Sequence, residues 1–295
     1  MRKLYYYDAG YKFFQYEIQP VLDILEAKGV DIGIADRNQF LGLENSVIFT
    51  NIPSRVDIEP ALNKGNKIIQ TTHSADSFWG PHWFNHLATV FCVTNELEYK
   101  AALTLAPKEN IELTGMPYLD YYFKVKSREE ITPIVGDGDY VLGLQLTHDS
   151  HGEDFCYSPD FYNRYYHSYP EERKIGRTVF KLHINHPHWN RESSVTWVDS
   201  PVEMTPSILK HSNGIYASHF SFMLIEASLL DKSTFICPEN TEWLKVERSC
   251  HVPNWWSGFD WRGLEKEELR HQVKDWFPFD GKNSERVADV ILRYL

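Results

Sequence analysis

A polar segment between an apolar run and an apolar helix-like segment contains residues that could bind an anion and a diol. Ser218, His219 and Ser221 follow the apolar run at residues 214–217. Free backbone N–H groups and the helix dipole attract phosphate to the start of a helix. Glu226, five residues beyond Ser221, could accept hydrogen bonds from a ribose diol. The spacing therefore predicts a nucleotide-diphosphate site, whereas the simpler alternative is that the serines only cap the helix.

Asp8, His73 and Asp76 are candidates for a general base in the first half of the chain. Each follows an apolar run that predicts a strand, and open α/β sheets present their functional groups beyond the carboxyl ends of strands. His73 is the first choice, because an imidazole titrates near neutral pH, and Asp8 is the second. The alternatives are that His73 is a hydrogen-bonded loop histidine and that Asp8 only forms a turn.

Two histidines in the second half could contact a diphosphate. His148 and His186 follow two further predicted strands. His183 and His188 flank His186, but this spacing matches none of the strong zinc motifs and no carboxylate cluster is adjacent. No Asp-x-Asp pair follows a strand either. We therefore expect neither a metal site nor a resident cofactor.

Short apolar runs alternate with segments of helical period along most of the chain. Such alternation predicts an α/β protein with parallel sheets and helices on both faces. The predicted strands are residues 4–7, 32–35, 46–50, 67–70, 88–93, 111–113, 140–146, 178–183, 195–198, 214–217 and 234–237. The predicted helices are residues 17–28, 57–64, 95–105, 158–169, 207–210, 222–230, 265–276 and 284–295. Residues 127–139 carry charge, a proline and two glycines without an apolar period, which predicts a linker.

The strand, the serine-rich turn and the helix with Glu226-Ala227 resemble the donor-binding segment of GT-B glycosyltransferases and their epimerase relatives. The resemblance implies that Ser218 and Ser221 hold the donor diphosphate, that Glu226 holds the ribose, and that UDP is the usual carrier. It also implies a GT-B-like architecture, with two Rossmann-like domains whose parallel sheets face a central cleft. The predicted domains are an acceptor domain at residues 1–130, a nucleotide-sugar donor domain at residues 139–282, and a C-terminal helix at residues 283–295 that packs back toward the first domain.

A narrower resemblance covers roughly residues 67 to 237. Three segments are similar to those of teichoic-acid glycerophosphotransferases, namely Thr72-His73-Ser74, Thr114-Gly115-Met116-Pro117-Tyr118-Leu119-Asp120 and Lys181-Leu182-His183-Ile184-Asn185-His186-Pro187. By this match His186 is the residue that contacts the diphosphate. The sequence departs from the pattern at Tyr118, where that group has arginine, and at Ser74, where it has glycine. Tyr216-Ala217 also stand where an aspartate would precede the serine turn.

Composition excludes several classes of protein. Hydrophobic residues make up 42% of the 295 residues and aromatic residues 15%, which is enough for packed cores and excludes global disorder. A net charge of −11 argues against a surface that coats nucleic acid or adsorbs to membranes. No apolar run approaches the roughly 18 residues of a membrane span, and no signal peptide is evident. Because the four cysteines form no CxxC pair, we expect a cytoplasmic protein.

We expect a metal-independent glycosyltransferase of the GT-B type that moves a sugar from a UDP-linked donor to a hydroxyl acceptor. The first domain would supply the base and the second would hold the diphosphate. The acceptor would be a glycan or another hydroxyl compound, including a modified nucleic-acid base. A polyol-phosphate transferase and a sugar-nucleotide epimerase are the alternative enzymes, and a non-catalytic nucleotide- or glycan-binding protein is the alternative outside enzymes. The sequence leaves the oligomeric state open.

Overall fold

The computed structural model describes residues 3–7, 12–51, 55–72, 87–144, 177–181, 196–198, 202–217, 222–236 and 273–295. The chain forms two compact units. Unit 1 holds the described residues up to Phe123 and those from Lys274 to Leu295, and unit 2 holds those between Lys124 and Val273. Each unit is built on one parallel sheet, which confirms the predicted α/β class.

The sheet of unit 1 has six parallel strands in the order β2-β1-β3-β4-β5-β6. Their bounds are β1 Leu4–Tyr7, β2 Ile32–Ala35, β3 Val47–Thr50, β4 Lys67–Thr71, β5 Val90–Val93 and β6 Ile111–Leu113. Leu4 pairs with Ile32 on one side and with Val47 on the other, so β1 lies inside the sheet. In the inner strands β3, β4 and β5 nearly every residue is buried, which is typical of parallel strands covered on both faces.

Helices cover both faces of this sheet. The described helices of unit 1 are α1 Lys12–Ala27, α2 Arg37–Gly42, α3 Arg55–Asn63, α4 Glu96–Ala102 and the C-terminal α8 Asn283–Leu292, with 3-10 helices at Lys108–Asn110 and Pro117–Phe123. Val21 of α1 and Ile291 of α8 share a buried cluster with Phe49 of β3 on one face. Phe40 of α2 and Ile58 of α3 pack with Ile48 on the other.

The sheet of unit 2 has five parallel strands in the order β11-β10-β7-β8-β9. Their bounds are β7 Tyr140–Leu144, β8 Arg177–Lys181, β9 Thr196–Val198, β10 Gly214–Ala217 and β11 Ser233–Ile236. The described helices of this unit are α5 Arg128–Val135, α6 Thr205–His211 and α7 Phe222–Leu229, with a 3-10 helix at Val202–Met204. The predicted helix at residues 158–169 and most of that at residues 265–276 lie outside the described residues.

The prediction that residues 127–139 form an irregular linker is wrong, because most of this segment forms α5, Arg128–Val135. The Ser127 side chain accepts a hydrogen bond from Glu130 N, and the Glu130 side chain accepts one from Ser127 N. This capping box satisfies two backbone donors at the start of the helix. Ile131 and Val135, one turn apart, are buried and supply the apolar period that the sequence reading overlooked.

Two further helix predictions of unit 1 need correction. Helix α1 begins at Lys12 rather than at residue 17, so it follows β1 after a shorter connection than predicted. Helix α2 was not predicted, because a six-residue segment is too short to show a clear period. Asp36 nevertheless forms a capping box with Gln39, which is a start signal that the sequence does contain.

The amino end of α8 is held by Asp120. The carboxylate oxygens Oδ1 and Oδ2 accept hydrogen bonds from Asn283 N at 3.1 Å and from Ser284 N at 2.7 Å. They satisfy two donors that have no partner within the helix, and their charge interacts favourably with the helix dipole. Gly115 has a φ of 80°, and a Cβ there would overlap the side chain of Asn283. The segment at residues 114–120 thus has a structural role within unit 1.

Replacing Asp120 by asparagine should lower the free energy of unfolding by about 1 to 2 kcal/mol, because an amide leaves one of the two backbone N–H groups without an acceptor. The shift in the midpoint of urea unfolding, at unchanged slope, measures the effect. Asp289→Asn is the control, since that side chain is 69% exposed and pairs with Lys28 at 3.2 Å. It should cost no more than about 0.5 kcal/mol. Equal losses in the two variants would contradict the capping role.

Candidate functional site

The carboxyl ends of β10, β7 and β8 lie side by side, because these strands are neighbours in the parallel sheet of unit 2. From β7 the chain continues to β8 on one side, whereas from β10 it continues to β11 on the other. Such a reversal is the topological switch point at which open α/β sheets bind ligands. The three predicted donor-binding segments begin beyond these strand ends, at residue 218 after β10, at residue 145 after β7 and at residue 182 after β8.

Glu226 is the predicted donor residue that the structure describes. It lies on α7, whose first residue Phe222 directly follows Ser221. Glu226 is only 2% exposed, and its neighbours Ile225 and Ala227 are buried as well. A carboxylate is costly to bury unless it is hydrogen-bonded or paired. A buried glutamate on a mostly apolar helix at a switch point is therefore a candidate functional residue.

The other predicted site residues lie outside the described residues. They are Asp8, His73, Asp76, His148, His186, Ser218, His219 and Ser221. The structure shows the strand ends that precede them, and the roles assigned to these side chains stay predictions.

The sheet of unit 1 has its own switch point, between β1 and β3. Strand β1 leads to β2 on one side, whereas β3 leads to β4 on the other. Asp8 directly follows β1, Asn51 directly follows β3, and Thr72 separates the end of β4 from His73. The predicted base candidates thus follow the carboxyl ends of β1 and β4, the two strands on either side of β3, and open sheets build functional sites beyond such strand ends.

The sequence reading missed a buried polar pair at this switch point. Asn51 is 3% exposed and Glu17, on the second turn of α1, is 4% exposed. The Asn51 side-chain amide donates to Glu17 Oε2 at 3.3 Å. A polar residue directly after an apolar strand was a usable signal for Asn51. Glu17 gave no signal, because only the fold brings the start of α1 to the end of β3.

A second buried polar side chain, that of Glu98, lies near the end of β5. It is fully buried on the first turn of α4. Its Oε2 atom accepts hydrogen bonds from Thr94 N at 2.5 Å and from Thr94 Oγ1 at 2.7 Å. Within the described ranges, neither its Oε1 atom nor the buried Thr72 hydroxyl has a hydrogen-bond partner inside 3.5 Å. The Thr72 hydroxyl is nevertheless close enough to lower the pKa of the carboxyl. From sequence alone, Asn95-x-x-Glu98 predicts only a helix cap.

Burial raises the pKa of Glu98 from 4.5 to about 7, against the opposing effects of Thr94 and of the Thr72 hydroxyl. The folded protein therefore keeps a proton that the unfolded chain loses near pH 4.5. Stability falls with rising pH wherever the folded state binds more protons than the unfolded state. The contribution of Glu98 to stability is thus complete below pH 4.5 and is lost as the pH rises through about 7.

Tyr118, which replaces the arginine of the teichoic-acid pattern, belongs to an aromatic cluster of unit 1. It is 4% exposed and meets the rings of Tyr16 and Tyr121 edge-on, each at a centroid distance of 5.9 Å. Tyr16 and Tyr121 stack on each other at 4.3 Å. Position 118 therefore supplies ring packing and no positive charge.

Two negative observations hold for the described part of the chain. It contains no group of three or more histidine, cysteine, aspartate or glutamate residues arranged to hold a metal ion. No helix in these ranges has both the length and the apolar composition needed to cross a membrane.

Comparison with known proteins gives structural matches alone. No protein-family model matches the sequence. No curated protein matches it either. Among solved structures, S. aureus MnaA in a co-structure with UDP is 14% identical with a TM-score of 0.64, and the match covers 100% of this chain and 97% of that one.

Two further structures are similar over nearly the whole chain. The wall teichoic acid polymerase TagF is 12% identical with a TM-score of 0.66, covering 99% of this chain and 88% of that one. A UDP-N-acetylglucosamine 2-epimerase is 11% identical with a TM-score of 0.57, covering 100% and 97%. At this level of identity these matches establish the fold alone, and they confirm the predicted GT-B-like fold class.

Proposed function

We propose that the protein is an enzyme that acts on a nucleotide-diphosphate sugar and transfers the sugar to a hydroxyl acceptor. The observation that carries the proposal is the switch point of the second sheet. There a buried carboxylate, Glu226, lies on the helix that follows β10, and two histidine-bearing segments follow the neighbouring strands β7 and β8. A helix start and a nearby carboxylate suit the two ends of a nucleoside diphosphate, its phosphates and its ribose.

In this proposal unit 2 binds the donor. Backbone N–H groups at the start of α7, with Ser218, His219 and Ser221, contact the diphosphate, and Glu226 accepts hydrogen bonds from the ribose hydroxyls. His148 and His186 add contacts to the phosphate oxygens. Donors aimed at the leaving diphosphate stabilise the charge that develops on it as the bond to the sugar breaks.

Unit 1 supplies the base. His73 takes the proton of the acceptor hydroxyl, the acceptor oxygen forms a bond to the anomeric carbon, and the bond from that carbon to the diphosphate breaks. The products are the glycosylated acceptor, the free nucleoside diphosphate and a proton. Asp8 and Asp76 are the next candidates for the base.

Nucleoside diphosphates should stabilise the fold, which can be measured before any acceptor is known. At about 100 times the dissociation constant, a ligand adds roughly 2.7 kcal/mol to the free energy of unfolding. For a protein of this size, each kcal/mol raises the melting midpoint by about 2 to 4 °C. We expect the largest shift with UDP, then with CDP, while ADP and GDP test selectivity. If none of the four moved the midpoint, the proposed donor site would be wrong.

Two of the similar structures suggest other reactions. One is a UDP-N-acetylglucosamine 2-epimerase, which suggests epimerisation of a nucleotide sugar. The other is a wall teichoic acid polymerase, which suggests transfer of a polyol phosphate. The product separates the three reactions. Sugar transfer from a UDP sugar releases UDP only when an acceptor is consumed, whereas an epimerase changes the sugar without an acceptor. A polyol-phosphate transferase would release CMP from CDP-glycerol. Tyr118 favours sugar transfer over the last reaction, since position 118 carries an aromatic ring in place of the arginine of that group.

A further inference from the structure

The face of the unit 1 sheet that α1 covers changes from apolar to polar at its carboxyl edge. Phe49 of β3 and Ile69 of β4 pair in register and belong to the buried cluster that α1 shares. The next side chain on this face of β4 is Thr71, since side chains alternate along a strand, and Asn51 directly follows β3. Asn51 is 3% exposed and Thr71 is fully buried. Buried polar groups are costly unless they are hydrogen-bonded, so apolar packing alone does not account for them.

The Thr71 hydroxyl points to a bound group at this edge. In the part of the chain that the structure describes, its Oγ1 atom has no hydrogen-bond partner inside 3.5 Å. Nearly all buried polar groups in proteins have a partner, and an exception needs an explanation. A hydroxyl-bearing ligand would supply the missing hydrogen bond, because a hydroxyl both donates and accepts.

Glu17 fixes the orientation of the Asn51 amide. Asn51 Nδ2 donates to Glu17 Oε2 at 3.3 Å. An ionised carboxylate only accepts hydrogen bonds, so the amide must turn its NH2 group toward Glu17 and not its oxygen. The Oδ1 atom therefore lies on the side of the amide away from Glu17. Because Oδ1 is a hydrogen-bond acceptor with two lone pairs, it suits a ligand group that carries a hydrogen.

The location of Asn51 favours a ligand. It directly follows β3 at the switch point between β1 and β3, and open α/β sheets bind their ligands beyond the strand ends at such points. In the proposed function unit 2 binds the donor, so the ligand of unit 1 is the substrate that receives the sugar.

We propose that Asn51 binds a hydroxyl group of this receiving substrate through Oδ1, and that Glu17 is the positioning residue that orients Asn51. The inference rests on the proposed function. A hydroxyl group has a single hydrogen, and that of the reacting hydroxyl goes to the base. The hydroxyl that donates to Asn51 is therefore a second one. The receiving substrate is thus a polyhydroxyl compound, such as a sugar, and not a compound with one hydroxyl.

The release of UDP from UDP-glucose and UDP-N-acetylglucosamine tests the substrate class. Methyl glycosides, which carry several hydroxyls, should accelerate the release over that in buffer. Cyclohexanol, a ring of the same size with one hydroxyl, should not. With the best methyl glycoside, Asn51→Ala should raise the KM for the glycoside about tenfold while kcat stays within about threefold, because the lost hydrogen bond serves binding.

Asn66→Ala is the matched control for a purely structural role. Asn66 is 2% exposed in the same unit, but it precedes β4 and so lies at the amino edge of the sheet. Its amide donates to the carbonyl oxygens of Leu43 and Ala61, each at 2.8 Å. The substitution should lower the melting midpoint, while the KM for the glycoside stays within about twofold.

Glu17→Gln tests the positioning role without removing a contact to the substrate. A glutamine side chain offers both a donor and an acceptor, so it no longer dictates which way the Asn51 amide faces. The KM for the glycoside should rise about threefold or more, with the affinity for UDP unchanged. This variant keeps the size of the side chain, and it decides the question if Asn51→Ala fails to fold.

The outcomes separate the two proposals. If UDP fails to bind the wild type, the proposed function is wrong. If UDP binds but no methyl glycoside accelerates its release, or cyclohexanol does so equally well, the assignment of a second hydroxyl is overturned. It is overturned as well if the KM for the glycoside stays at the wild-type value in Asn51→Ala or, where that variant does not fold, in Glu17→Gln.

Discussion

Turnover should fall about a hundredfold or more in His73→Ala, while affinity for UDP stays within about twofold. A general base acts in the transition state, so its loss lowers kcat without weakening the donor, which unit 2 holds in our proposal. His73 is attached through Thr72 to the end of β4, next to β3 of the switch point in unit 1. Steady-state kinetics with the acceptor saturating, together with calorimetric titration of UDP, measure the two quantities.

The control is His211→Ala, which removes a histidine of α6 in unit 2 whose Nε2 lies 2.8 Å from the Lys126 carbonyl oxygen. Its turnover should stay within about twofold of the wild type, because a single hydrogen bond of this kind contributes modestly to stability. A loss of only a few-fold in His73→Ala would exclude His73 as the base. The same series on Asp8 and Asp76 would then identify it.

Affinity for UDP should fall at least about tenfold in Glu226→Gln, with the melting midpoint of the ligand-free protein nearly unchanged. A charge-assisted hydrogen bond to a hydroxyl is worth roughly 1.5 to 3 kcal/mol, and each 1.4 kcal/mol is about a tenfold change in affinity. The amide has the shape of the carboxylate, so packing in α7 is preserved. Calorimetric titration of UDP into the two proteins measures the difference.

Glu203→Gln provides the matched control in the same unit. Glu203 is exposed in the 3-10 helix Val202–Met204, and the same change there should leave UDP affinity within about twofold. Unchanged affinity in Glu226→Gln would refute the ribose assignment. In that case the thermal shift with UDP would have to come from the diphosphate contacts alone.

Local sequence patterns determined the elements of the fold. The alternation of apolar runs and helical periods gave the parallel α/β class, because a strand buried on both faces needs a continuous apolar run. Turn signals such as Asn213-Gly214 placed β10, and the polar residues after it marked the start of α7. The prediction failed at α5 and α2, which are only eight and six residues long, because a short helix shows little period and only its capping residues identify it.

The sequence by itself could identify candidate site residues, namely the polar residues that follow predicted strands, because this requires only the order of residues along the chain. The order of the strands in the sheet is decided by long-range packing, and the tertiary structure alone showed that β10, β7 and β8 are neighbours. The same holds for Glu98, whose spacing from Asn95 predicts only a cap, and for Asp120, which binds a helix start 163 and 164 residues away. Burial, which raises the pKa of Glu98 to about 7, is a property of the folded chain, because it depends on residues distant in sequence that exclude water from the carboxyl.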